Sequence, residues 1–311
     1  MQRSRTSPRG DIRIGISGWR YEPWRGTFYP AGLAQARELE YASRQLRTIE
    51  INGSFYSLQS PACYRRWYQD TPEDFVFSVK GGRFITHMKQ LVDVGTALGN
   101  FFASGVAELR EKLGPFLWQL PPRMVFDAEK IERFLALLPR DTDAASALAR
   151  RHDGKLKVRA RIAFGPARRL RHAMEVRHPS FVVPEFVALL RKYGVAFVIA
   201  DTAGKWPEYE DVTADFVYMR LHGAVTLYQS RYTEEELDRF AARIERWSRG
   251  REPADAHRMT GRHAPAARRR DVFCYFDNTD KIEAPANAQR LADLVGAGVA
   301  GSHSVARRRA A

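Results

Sequence analysis

The stretch AMEVRHPSFVVPEFVALLRKYGVAFVIADT, residues 173–202, decides the fold class because it contains a strand, a helix and a second strand in succession. Residues 173–176 and 197–200 are short apolar runs of the kind that form buried strands. Between them, apolar residues recur with helical spacing: Phe186, Leu189, Leu190 and Tyr193. Two short strands joined by a helix predict a βα unit with parallel strands.

Six further apolar runs of this kind occur along the chain, so we predict eight strands. Their C-terminal ends fall at Ser17, Ile51, Val79, Leu120, Val176, Ala200, Leu221 and Phe276. These ends lie roughly 37 residues apart on average, which is the size of one unit in an eightfold barrel. The sequence therefore predicts an α/β protein with a single TIM-type (β/α)8 barrel over residues 11–300.

The intervening segments support this prediction. Asp127 is expected to cap the helix that follows it, and Thr233 with Glu236 has the spacing of a capping box. A doubly wound open sheet is the alternative fold. It usually carries a glycine-rich turn after an early strand, whereas Gly15-Ile-Ser-Gly18 lacks the third glycine.

Two tails and two long linkers interrupt the pattern. We expect the basic tails, 1–10 and 301–311, to be disordered. The linkers span 139–172, with a short helix predicted at 142–151, and 248–271. Residues 249–270 contain few apolar side chains, which predicts a mobile segment. Deletion of 251–268 is then expected to leave the melting temperature nearly unchanged.

The net charge of +14 is concentrated in these tails and linkers, so the rest of the chain is mildly acidic. Nucleic-acid binding through the basic linkers is therefore one interpretation. The other is a solvated surface whose arginines reflect the composition of a GC-rich genome.

Composition excludes several other classes of protein. A hydrophobic content of 44% with 12% aromatic residues excludes a wholly disordered chain. No apolar run approaches the length of a membrane span, and residues 1–10 do not resemble a secretory signal. We expect a cytoplasmic protein without a membrane partner, in which Cys63 and Cys274 are buried, reduced thiols.

The active site of a TIM-type barrel lies at the C-terminal ends of its strands. Polar residues at these ends therefore predict a pocket with both signs of charge. The candidate catalytic residues are Glu50, Lys80, Glu175, Asp201 and His222. The candidate substrate-binding residues are Trp19, Asn52, Tyr56, Gln119, Arg177, Arg220, Asp277 and Asn278.

These residue types suggest acid–base chemistry on a small anionic ligand. The planar guanidinium groups of Arg177 and Arg220 are expected to hold a carboxylate or phosphate. Glu50 or Glu175 would exchange protons together with His222. Lys80 is either an amine nucleophile or the ion-pair partner of Glu50.

Two questions stay open at this point. The residues fit an enzyme, and they also fit a non-catalytic protein that binds a phosphorylated ligand or nucleic acid at the barrel mouth. The cofactor is unknown. Glu50, Glu175, Asp201 and His222 form a possible set of ligands for Mg²⁺ or Mn²⁺. A metal is not favoured, because neighbouring cationic residues already supply positive charge.

The strand-end motifs together resemble a known family. They are GISGW (15–19), TIEIN (48–52) with Phe55-Tyr56, FSVK (77–80), QLPP (119–122), EVRHP (175–179), ADT (200–202), YMRLHG (218–223) and YFDN (275–278). In this order they are similar to the YecE-like family, catalogued as a domain of unknown function, number seventy-two. The resemblance runs from about residue 12 to about residue 297. It implies a TIM-type barrel and implies no reaction, cofactor or catalytic residue.

Overall fold

The structure, a computed structural model, describes residues 9–223, 231–277 and 283–299. Eight parallel strands pair in chain order and close into one barrel, with β1 next to β8. The strands are β1 (Ile12–Ser17), β2 (Thr48–Ile51), β3 (Val76–Lys80), β4 (Leu113–Gln119), β5 (His172–Glu175), β6 (Ala196–Asp201), β7 (Phe216–Leu221) and β8 (Asp271–Phe276). The predicted TIM-type barrel is confirmed.

Helices surround the barrel. They are α1 (Glu38–Gln45), α2 (Gly53–Tyr56), α3 (Pro61–Gln69), α4 (Gly95–Ala103), α5 (Ala128–Leu137), α6 (Thr142–Ala149), α7 (Pro184–Tyr193), α8 (Glu234–Ser248) and α9 (Ala284–Leu294). Asp127 caps α5 by accepting a hydrogen bond from the Lys130 amide. Thr233 and Glu236 form the predicted capping box of α8. Both predicted caps are confirmed.

The predicted strand ends agree with the structure to within one residue. In β3, β4, β5 and β6 the last residue is the polar one: Lys80, Gln119, Glu175 and Asp201. All four were expected at or beside a strand end, and their strands hold them in a fixed register. The polar side chains are therefore anchored by the sheet rather than by loops.

Strand alternation separates two apolar regions. Every second residue points into the barrel, where Ala196, Val198 and Ala200 of β6 pack with Tyr218 and Tyr275. The residues between them, such as Phe197 and Ile199, pack against the outer helices. This alternation determines which strand-end side chains share the barrel interior.

The linker at 249–270 is held by contacts that the sequence did not predict. The buried carboxylate of Asp211 accepts hydrogen bonds from the Met259 amide, at 2.6 Å, and from the Thr260 hydroxyl, at 2.7 Å. Arg243 of α8 pairs with Asp255 at 2.8 Å. We expected a mobile segment because it has few apolar side chains to bury, and these contacts count against that expectation. Hydrogen bonds to carboxylates fix this segment.

Two smaller expectations also change. Cys63 is exposed on α3, whereas Cys274 is buried as expected, and both are free thiols. Residues 1–8 and 301–311 of the predicted tails lie outside the described residues, but Arg9 pairs with Glu245 of α8 at 2.8 Å. Among the described helices, no segment combines the length and apolar character that crossing a membrane would require.

Candidate active site

The C-terminal end of the barrel interior is lined by buried polar side chains. One comes from each of six strands: Ser17, Glu50, Lys80, Gln119, Glu175 and Arg220. They share the inward-facing parity of their strands, so the barrel brings them together. Below them, toward the N-terminal end, the interior is mostly apolar. The polar end is the barrel mouth, where the sequence predicted the site.

Arg220 is the centre of this mouth and is fully buried. Its guanidinium donates to both oxygens of Glu50, at 3.1 and 2.9 Å, and to Glu175 at 2.6 Å. It also donates to Asp277 at 2.8 Å and to the Ser17 hydroxyl at 3.2 Å. Burial works against its charge, but the three carboxylates outweigh burial and hold the Arg220 pKa above its ordinary value. These contacts engage its donors within the protein, which favours a positioning role for Arg220 over the predicted direct contact with a ligand.

Glu50 is held from three sides. Besides Arg220, the Ser17 hydroxyl donates to its Oε1, and the Tyr218 hydroxyl donates to its Oε2 at 2.7 Å. Ser78 contacts the same Tyr218 hydroxyl at 2.6 Å. All of these groups are buried. Glu50 is therefore a fixed acceptor in the scaffold of the mouth.

Glu175 links Arg220 to a second arginine. Its Oε1 accepts from Arg177 Nε at 2.9 Å, and the Arg177 guanidinium lies 3.7 Å from the centre of the Trp206 ring. Burial favours protonated Glu175, but Arg220 and Arg177 outweigh it and keep its pKa below the ordinary value. Glu175 is thus a carboxylate at neutral pH, with Arg177 oriented between it and Trp206.

His222 is buried between charged groups. Its Nδ1 lies 3.4 Å from Asp277 Oδ2, and its Nε2 lies 3.3 Å from Arg220 Nη1. Burial and the Arg220 charge lower the His222 pKa. At neutral pH the imidazole is therefore uncharged, with Nε2 facing the Arg220 donor and Nδ1 facing the Asp277 carboxylate.

Lys80 differs from the other charges of the mouth. Its side chain is buried, and its ammonium lies 4.5 Å from the centre of the Phe55 ring. Within the described part of the chain, the ammonium has no ion pair or hydrogen bond, so the predicted pairing with Glu50 is absent. Burial and Arg220 lower the Lys80 pKa to about 8, although Glu50, Asp277 and Glu175 oppose them.

The backbone around Lys80 is fixed by its neighbours. The Ser54 hydroxyl donates to the Lys80 carbonyl at 2.6 Å, and the Gly81 amide donates to the Leu117 carbonyl of β4 at 2.8 Å. A Cβ at position 81 would lie 2.3 Å from the Trp118 ring, so only glycine allows this close approach. The amine is therefore presented from a rigid strand end.

His87 was missed by the sequence analysis. It lies on a π-helical turn, Phe84–Met88, and packs edge-to-face on Phe55 at 5.0 Å. Its pKa is lowered to about 4. Burial is the largest cause, and the nearby charges follow: Lys80, Arg177, Arg83 and Arg123. Several cations thus surround this side of the mouth. No short motif marks His87, because the turn after β3 sets its position.

Asp201 does not join the other candidates. It follows Ala200 on β6, so its side chain has the outward parity and contacts the Ala203 amide at 3.3 Å and the Tyr232 hydroxyl. Burial raises its pKa. The prediction that Asp201 shares the cavity was wrong, because position at a strand end was considered without strand parity.

The remaining candidates border the mouth. Asn52 donates to the Ser17 hydroxyl at 3.3 Å, and its buried Oδ1 has no hydrogen-bond partner within the described chain. Asn52 lines a pocket of about 240 Å³ together with Trp19 and Tyr56, of which Tyr56 is largely exposed. Gln119 is buried on β4. Asn278 lies outside the described residues.

A larger groove adjoins the mouth and was not predicted. It has a volume of about 620 Å³ and begins at Arg177 and Trp206. It continues between α8 and the 249–270 linker, where Arg243 and His257 line it. Arg177 and Trp206 therefore connect the charged network to a space large enough for a small molecule.

The carboxylates of the mouth are committed to Arg220 rather than grouped around an open position. In the described residues, His, Cys, Asp and Glu form no cluster of three or more with the geometry of a metal site. Because Asp201 faces outward, the set Glu50, Glu175, Asp201 and His222 does not converge. These four residues do not fit one divalent cation.

A family model described as a protein of unknown function, DUF72, matches residues 13–309. This match spans nearly the whole chain. The chain belongs to the DUF72 family. The resemblance found from the strand-end motifs, under the name YecE-like, is therefore confirmed.

One curated protein and two solved structures are similar to this chain. YunF, a UPF0759 protein of Bacillus subtilis (strain 168), is 30% identical over 124 residues, which are 38% of this chain and 42% of YunF. The chain thus matches less than half the length of this curated relative. A DUF72 protein from Thermotoga maritima MSB8 superimposes with a TM-score of 0.67 at 24% identity, covering 92% of this chain and 99% of the other. One from Enterococcus faecalis V583 gives 0.65 at 17%, covering 92% and 95%. Both structures support the barrel fold.

Proposed function

We propose that this DUF72 protein is an enzyme that binds a small anionic molecule at the barrel mouth and exchanges protons with it. The observation that carries this proposal is Lys80. Its side chain is largely buried at the mouth, and its ammonium has no ion pair or hydrogen bond in the described chain, whereas Arg220 contacts three carboxylates. A buried charge without a counter-charge destabilises the fold. An anionic ligand that pairs with this charge would offset the loss of stability.

Arg177 is the better candidate for the second anion-binding group. Its side chain is one-tenth exposed, at 11%, and it lines the groove of about 620 Å³. Trp206 stacks on its guanidinium and so restricts its orientation. Arg83 and Arg123 add positive charge near His87. Together these cations favour a carboxylate or phosphate over a neutral ligand.

Proton exchange is supported by three groups of the mouth that differ in protonation state. Glu175 is ionised, His222 is neutral at neutral pH, and the Lys80 pKa of about 8 lies close to the working range. General acids and bases are most effective when their pKa lies near the ambient pH. Glu50 takes a supporting role here, since its oxygens are already occupied by Arg220 and Tyr218.

Thermal stabilisation by anions tests the binding step. Inorganic phosphate and pyruvate should raise the melting temperature of the wild type, and Lys80→Met and Arg177→Met should each reduce that increase. Lys155→Met is the matched control, because Lys155 is exposed on the 139–172 linker away from the groove, whereas the exposed Lys205 beside Trp206 lines it. Equal stabilisation of all four proteins by both anions would rule out the mouth as the anion site.

The nucleic-acid alternative receives less support. Arginines of the 139–172 linker pair with acidic residues of the barrel: Arg161 with Glu108, Arg169 with Asp215, and Arg171 with Asp271. Charges paired in this way are less available for phosphate contacts.

We also propose a cytoplasmic location, supported by the two free thiols.

A further inference from the structure

We propose that Lys80 forms a covalent imine with the carbonyl group of an anionic substrate, a class that comprises 2-oxo acids and phosphorylated aldehydes or ketones. This inference rests on the proposed function and names its substrate class. Lys80 combines burial, a fixed backbone and an amine that no described group engages by hydrogen bond or ion pair. A structural lysine of this chain, Lys112, shows the contrast.

Lys112 is also buried, but its ammonium donates three hydrogen bonds: to the Tyr68 carbonyl at 2.7 Å, to the Thr71 carbonyl at 2.7 Å and to the Thr71 hydroxyl at 3.2 Å. These contacts satisfy its charge. Lys80 has the Phe55 ring on one side and the charges of the mouth around it. An amine without hydrogen bonds keeps its lone pair accessible once it is deprotonated.

Deprotonation is favoured by the same surroundings. Desolvation and a neighbouring cation are the two means by which proteins activate a lysine nucleophile. Both act on Lys80, through its burial and through Arg220. With a pKa of about 8, roughly a tenth of the amine is free at pH 7, on the order of a hundredfold more than for an ordinary lysine.

The remaining groups fit the chemistry of imine formation. The Lys80 nitrogen attacks the carbonyl carbon and forms a C–N bond, while the carbonyl oxygen gains a proton and the nitrogen loses one. The C–O bond then breaks, the nitrogen gives up its second proton, and the oxygen leaves as water with both protons, so that a neutral C=N bond forms. Water that enters the mouth would carry these protons, and the neutral imidazole of His222, with Asp277 at 3.4 Å, is the group that we assign to relaying them. No oxidant or reductant is needed.

The anionic part of the substrate follows from the cations. Arg177 lies at the start of the groove, and its charge together with that of Lys80 lowers the His87 pKa. When Lys80 becomes a neutral amine, Arg177 remains a cation at the start of the groove. A carboxylate or phosphate attached to the carbonyl compound would pair with it.

Reductive trapping tests the inference on the full chain. Cyanoborohydride reduces an imine to a stable secondary amine, so incubation with pyruvate should attach the three-carbon acid to Lys80, as mapped by peptide mass spectrometry. In a second experiment dihydroxyacetone phosphate replaces pyruvate. Comparing the two distinguishes a 2-oxo acid from a phosphorylated ketone as the substrate. Hydroxyacetone, which carries no charge, is the control for the anionic group. We expect labelling of Lys80 to exceed that of Lys205 by on the order of tenfold or more, from the difference in free amine.

Lys80→Arg keeps the charge and should abolish the adduct, whereas Lys205→Arg should retain it. Labelling spread evenly over surface lysines would overturn the proposal, and the wild-type map alone gives this result if Lys80→Arg fails to fold. Equal labelling by hydroxyacetone would overturn the anionic requirement. Anion-induced thermal stabilisation without any adduct would reject the imine but keep the proposed binding function. Loss of both would reject both.

Discussion

Arg220 and Glu50 face each other through two hydrogen bonds, from Nε to Oε2 at 3.1 Å and from Nη2 to Oε1 at 2.9 Å, with both side chains fully buried. This pairing fixes the guanidinium plane across the barrel. The other edges of the guanidinium then reach Glu175 and Asp277. The role of Arg220 is to hold three carboxylates from different strands in one arrangement.

Arg220→Met should therefore destabilise the fold. The substitution leaves buried carboxylates without a counter-charge, which typically costs about 3–5 kcal/mol. Urea denaturation at pH 7 gives the free energy of unfolding. Arg169→Met is the control, because its pair with Asp215 is exposed and should contribute less than about 1 kcal/mol. A loss for Arg220→Met no larger than for Arg169→Met would contradict a structural role.

Lys80→Met should have the opposite effect on stability. The Lys80 pKa is lowered to about 8 from 10.5, so the unfolded chain binds this proton more tightly than the folded chain. At pH 7 the variant should be more stable than the wild type by up to about 3 kcal/mol. The wild type gains stability as the pH rises from 8 to 10.5, so the difference should shrink across this range. Chemical denaturation at several pH values measures it, and a difference that grows with pH would reject the pKa direction.

Glu175→Gln should reduce the sensitivity of the protein to acid. The folded pKa of Glu175 lies below its ordinary value of 4.5, so the ionised group contributes stability above this pH. That contribution is lost as the pH falls below 4.5 toward the folded pKa. Melting temperatures from pH 6 to pH 2 should therefore fall less steeply in Glu175→Gln than in the wild type. Glu129→Gln, on an exposed side chain, should follow the wild-type curve.

Much of the fold followed from local pattern. The period of strand and helix in 173–202, repeated along the chain, predicted the barrel and placed Lys80, Glu175 and Arg220 at its mouth. The alternation of side chains along β6 would also have excluded Asp201 from the barrel interior, since the preceding residue, Ala200, points inward. The sequence offers that signal, but only once the exact register of the strand is known.

The pairing within the mouth was not predictable in the same way. The sequence places four carboxylates and three cations there. Only three-dimensional geometry decides that Arg220 pairs with three of the carboxylates while Lys80 pairs with none. The contacts that hold the 249–270 linker were not predicted, for a related reason. Its order depends on Asp211, a residue 48 positions from Met259 in sequence, and composition does not reveal such partners.

Replacement of residues 251–268 by a Gly/Ser segment of equal length should lower the melting temperature by roughly 5–10 °C. With glycine at position 260, the change removes the Thr260 hydroxyl and leaves the backbone amide at 259 on a flexible chain. The buried Asp211 carboxylate then loses its fixed donors, and an unsatisfied buried group costs about 1–3 kcal/mol. Differential scanning calorimetry measures the shift. Asp211→Ala provides a double-mutant cycle, since it should destabilise the wild type and add little in the replaced variant. An unchanged melting temperature would restore the expectation of a dispensable linker.

Trp206 should control anion affinity through Arg177. The two side chains stack at 3.7 Å, and Trp206 makes no ionic contact with a ligand itself, so its effect should come from the orientation of the guanidinium. Loss of a partly buried cation–π contact of about 1 kcal/mol predicts that Trp206→Leu weakens pyruvate binding by roughly fivefold. Trp206→Phe keeps an aromatic face and should recover most of this affinity. Isothermal titration calorimetry gives both dissociation constants, and denaturation curves check that the two variants are equally stable. Equal weakening by Leu and Phe would show that the indole only fills space, whereas rescue by Phe assigns Trp206 to positioning Arg177 for the anion.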